Sequence, residues 1–85
     1  MTPLYKLREI ENLMINFDGI PGKLEPIARQ IDLLGSMISD NTKAYKKLGV
    51  TRQILQTMVD SNKTTESKIM KVIEILSQVE NILRN

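Results

Sequence analysis

Apolar residues recur along this chain at intervals of three and four, and hardly ever at intervals of two. That spacing gathers side chains on one side of a helix, not on one face of a strand. Leu4, Leu7, Ile10, Leu13 with Met14, and Phe17 make the first stripe. Thr2 is a good cap before it and Pro3 a good first helical residue, which predicts a helix over 1–18. Two glycines and two prolines between Asp18 and Pro26 cannot continue that helix, and 19–26 reads as a linker turn. Ile27, Ile31, Leu34 and Ile38 predict a second helix, which Pro26 can open. Ser39, Asp40, Asn41 and Thr42 then form a run of capping residues, able to end one helix and begin another. A second polar run, Asp60 to Thr65, reads as a loop with Thr64 or Thr65 as the next cap. Ile69, Val72, Ile73, Leu76, Val79, Ile82 and Leu83 define a last helix from Glu66 to about Leu83. Its stripe is wider than one domain needs, so 77–85 is expected to pack on the first helix or on a second subunit. The chain is expected to be a single all-α domain over 1–85, a small bundle of four to five helices.

The stretch between the two polar runs supports two readings. Steps of three and four can be taken without a break from Leu34 to Leu83, as in the seam of a long coiled-coil helix. Four of the positions visited are polar: Asn41, Thr51, Asn62 and Thr65. On this reading Gly49 sits in mid-helix, where glycine costs about 1 kcal/mol relative to alanine. Alternatively the chain reverses at Gly49. Lys46 and Lys47 suit the last turn of a helix, glycine suits the left-handed stop after it, and Thr51 is a plausible cap for a new helix.

On that second reading, Asn41-Thr42-Lys43-Ala44 followed by Leu48-Gly49-Val50-Thr51-Arg52-Gln53, then Leu55 and Met58, resembles the helix-turn-helix of phage-repressor-type DNA-binding domains. The likeness runs over 27–76, with Ser61 to Thr65 resembling the loop after the recognition helix. It implies that Thr51, Arg52, Gln53, Gln56 and Thr57 face DNA in the major groove, and that Asn41, Thr42 and Lys43 lie near phosphates. Leu48, Val50, Leu55 and Met58 would be internal. One position departs from the family: four residues before the turn glycine, where a small residue lets the helices cross closely, this chain has Tyr45.

Charge changes the picture more by its distribution than by its total of +2. Residues 43–71 hold seven basic residues against two acidic, a net +5; the first 42 residues carry −2 and the tail from Val72 carries −1. A positive segment of this kind suits phosphates, or is a solvated lysine face. Candidate chemistry is sparse. There is no histidine and no cysteine, so the commonest proton shuttle, metal ligand and strong nucleophile are missing. The four glycines are scattered and make no phosphate loop. No enzymatic activity, metal or cofactor is expected. No apolar run reaches the length of a membrane helix and none at the N-terminus suits a signal peptide, so the protein is expected to be cytoplasmic. Two functions follow. The first is a dimeric, sequence-specific DNA-binding transcriptional regulator acting on double-stranded DNA. The second is a non-enzymatic helical-hairpin or coiled-coil adaptor that binds protein partners in a larger assembly.

Overall fold

The structure, a computed structural model, describes residues 2–85; Met1, at the head of the expected N-terminal segment, lies outside them. Four helices account for nearly all of it: α1 Pro3–Ile15, α2 Leu24–Met37, α3 Thr42–Ser61 and α4 Glu66–Arg84, with a single 3-10 turn at Pro21–Lys23 before α2. The class is all-α, with the helix count at the lower end of the expected four to five.

Each boundary has a local cause. The Thr2 hydroxyl accepts the Tyr5 amide at 3.2 Å and Pro3 opens α1. Asp18 accepts the Ile20 amide at 3.1 Å, and Gly19 takes a φ of 90° that a side chain would strain. Pro26 falls inside the first turn of α2 and not at its first position, which costs nothing because amides there have no intrahelical acceptor. Asn41 caps α3 through the Ala44 amide, and Thr65 caps α4 through the Lys68 amide. Asn62 ends α3 in the left-handed conformation, φ 54°.

The two readings of the centre are therefore both corrected. α3 runs without interruption through Gly49, so the chain has no helix-turn-helix at 48–51. Among the described residues, left-handed backbone occurs at Gly19 and Asn62, not at Gly49. Thr51 is no cap: it is fully buried, and its hydroxyl donates back to the Lys47 carbonyl at 3.3 Å. The reason is one of magnitude. Keeping the helix intact leaves Leu48, Leu55 and Met58 on one buried face. Each is worth about 1.5–3 kcal/mol when fully buried, against about 1 kcal/mol for the glycine. The long rod is also broken, at Ile38–Asn41 and again at Asn62–Thr65. Three of the four polar positions in the seam, Asn41, Asn62 and Thr65, turn out to be helix caps.

Consecutive helices pack side by side, and α1 also packs on α4, so the four form a closed square in the order α1, α2, α3, α4. Pro3, Met37, Thr42 and Leu83 meet at one end, while the Thr64 hydroxyl donates to the Gly19 carbonyl at the other. Neighbours are thus antiparallel, as short connections require. One core of leucine, isoleucine, valine, methionine and alanine draws on all four helices. Val79 is in it, Ile82 and Leu83 pack against it, and α4 packs on α1.

Candidate functional site

The eight residues singled out for DNA contact do not converge. Asn41, Thr42 and Lys43 sit at the start of α3, and Thr57 is fifteen residues along the same helix, about 22 Å away at helical rise. Thr51 faces the core. Arg52 points at α2, where its Nε donates to the Asp32 carboxylate at 2.9 Å, and its Nη1 donates to Gln56 at 2.7 Å. Gln56 in turn donates to Asp60 at 2.7 Å, and the Thr57 hydroxyl bonds the Gln53 carbonyl. Of the proposed readers, Gln53 and Thr57 are exposed without a longer-range tie, while Arg52 and Gln56 are engaged within the molecule. Tyr45 crosses α2 at Gly35: a β-carbon built there lies 3.6 Å from the tyrosine ring. A small residue does permit the close crossing, but it is on α2, not at position 45.

A groove of about 780 Å³ lies between α1 and α2. Leu13, Phe17, Pro26 and Ile27 give it an apolar floor and wall. Lys6, bonded to Gln30 and 3.3 Å from Glu9, bounds one end; the Asp18–Lys23 ion pair bounds the other. Leu13 is 45 % exposed although it sits in the middle of a helix. The sequence does carry a trace of this groove, because Leu13 adds a second apolar residue beside Met14 and only Met14 is needed by the core. The spacing of α1 and α2 that opens it is a tertiary property.

The opposite side of the square, α3 with α4, has a different chemistry. Lys43, Lys47, Val50 and Ile54 fall on one stripe of α3 beside α4, with Lys46 at its edge. Lys47 reaches across to accept the company of Gln78, donating to its side-chain oxygen at 2.9 Å. Lys68 and Lys71 are exposed on α4. Among the described residues there are five ion pairs, and none uses a lysine of α3, of α4 or of the loop between them.

A third feature lies between α1 and α4. Burial pushes the Glu11 carboxyl up to about 7, helped by the Glu80 carboxyl next to it and opposed by Arg8 and Arg84. Two acids sharing a partly buried site favour a proton between them. No group of three or more metal-ligating side chains gathers among the described residues, and no helix there is long and apolar enough to cross a membrane. No protein-family model, curated protein sequence or solved structure matches the chain.

Proposed function

We propose that this protein is a non-enzymatic helical adaptor that works by binding other proteins. The observation that carries the reading is the unbroken α3: the polypeptide offers no fresh helix start from which Arg52 can be thrust into a DNA groove, and Arg52 is bonded to Asp32 and Gln56 instead. The lack of histidine and cysteine supports the non-enzymatic part. The groove between α1 and α2 supports the binding part. Its apolar floor suits the apolar face of an amphipathic helix, the mode in which helical grooves commonly recognise partners.

A photo-crosslinking residue in place of Leu13 tests this. It should trap one protein species in cells, and the purified species should bind the native chain but bind Leu13→Lys at least about tenfold more weakly, since a buried lysine opposes an apolar contact. In parallel, duplex DNA at low salt should give no measurable complex. DNA binding that weakens steeply with salt and is lost in Arg52→Ala would overturn the reading in favour of nucleic-acid recognition.

A further inference from the structure

We infer that the α3–α4 face is a second docking surface, and that its occupant is an acidic amphipathic segment of a protein partner. The inference rests on the protein-binding reading above and adds where and what. Three observations meet here. Residues 43–71 carry a net +5, yet their lysines find no carboxylate within the described residues, while Lys6 of α1, Lys23 of the 3-10 turn and Arg29 of α2 pair with carboxylates close by in sequence. The cationic stripe is not purely polar, because Val50, 47 % exposed, and the half-buried Ile54 share it with Lys43 and Lys47. And the face lies across the bundle from the α1–α2 groove, in a molecule 21 × 20 Å in cross-section, so both can be filled at once.

The chemistry favours protein over nucleic acid. Bases are read by arginine forks and stacked on aromatic rings. This face offers neither, since Arg52 is paired toward α2 and Tyr45 packs over Gly35. Lysines alone hold phosphates, but Val50 and Ile54 then have nothing apolar to meet. An amphipathic helix with glutamates flanking a leucine stripe satisfies both parts. Its carboxylates meet Lys46, Lys47 and Lys71, and its leucines cover Val50 and Ile54.

The test uses the full chain, isotopically labelled, and a peptide of about 20 residues with a leucine stripe flanked by glutamates, long enough to span α3. Expected are resonance shifts confined to α3 and α4, binding weakened at least about tenfold when ionic strength rises from about 0.05 to about 0.5 M, and a similar loss in K46E/K47E/K71E. The milder K46Q/K47Q/K71Q should lose several-fold, which guards against misfolding of the first variant. Shifts that map to Leu13 and Phe17 and survive both variants would sink this surface while leaving the adaptor reading intact. Duplex DNA that binds the same lysines more tightly than the peptide would sink both. Absence of peptide binding at low salt would also overturn the inference.

Discussion

The two opposite sides of the bundle are built by one rule inside and by different rules outside. Inward, α1 and α2 bury leucine, isoleucine and methionine at helical spacing, as do α3 and α4. Outward, the α1–α2 side closes three ion pairs of its own, Lys6–Glu9, Lys23–Asp18 and Arg29–Glu25, the first two bordering an apolar groove. On the α3–α4 side no lysine pairs with a carboxylate among the described residues. Surface ion pairs are each worth about 0–1 kcal/mol, so stability does not choose between these outer patterns. The difference teaches that the core fixes the fold while the surface is left free to differ, in shape on one side and in charge on the other.

Several substitutions would break or sharpen that contrast. Leu55→Ala, at a fully buried point on α3, strikes the part both sides share and should cost about 2–5 kcal/mol in urea denaturation. A loss under about 1 kcal/mol would mean the two sides do not share one core. Gly49→Ala should do the reverse. A β-carbon there meets nothing within 4 Å, so the helical propensity gained, up to about 1 kcal/mol, appears as added stability. Had Gly49 been a turn glycine, the same change would destabilise, so the sign of the shift in thermal midpoint decides.

Arg52→Ala removes the one ion pair among the described residues that joins the two sides, through Asp32. Both side chains are partly exposed, and a loss of about 0–1 kcal/mol is expected. Smallest, and visible as a slope, is the pH dependence from Glu11. Its folded-state carboxyl holds its proton up to about 7, above the ordinary value of 4.5. The folded state then binds more protons than the unfolded chain between those values, so stability declines as pH rises through that window. Glu11→Gln should flatten the decline in denaturation curves measured from pH 4 to 8. An unchanged slope would assign the effect elsewhere.

Much of this fold was legible because its causes are local. The stripes of α1, α2 and α4, the cap at Thr2, and the polar runs that hold the breaks at Ile38–Asn41 and Asn62–Thr65 depend on residues within a turn of one another. Gly49 was not legible, because its local signal is a stop and its actual state is decided by Leu48, Leu55 and Met58 meeting α2 and α4. Tertiary burial outweighed propensity there, and Thr51, read as a cap, was carried into the core with the rest of the face. The seam positions Asn41, Asn62 and Thr65 look like flaws in one helix until the caps they make are known. On the surface, the charge segregation could be counted from the sequence, whereas the α1–α2 groove could not, since it exists only once Leu13 and Pro26 face each other across two helices.

The alternation of chain direction has an electrostatic corollary. Each end of the square gathers two helix starts and two helix finishes, so the peptide dipoles of neighbouring helices oppose and largely cancel. Little backbone field projects from either end to attract or repel an approaching molecule. Its long-range signature is therefore written in removable side-chain charges, and exchanging a handful of lysines should re-address the scaffold while its interior stays as it is.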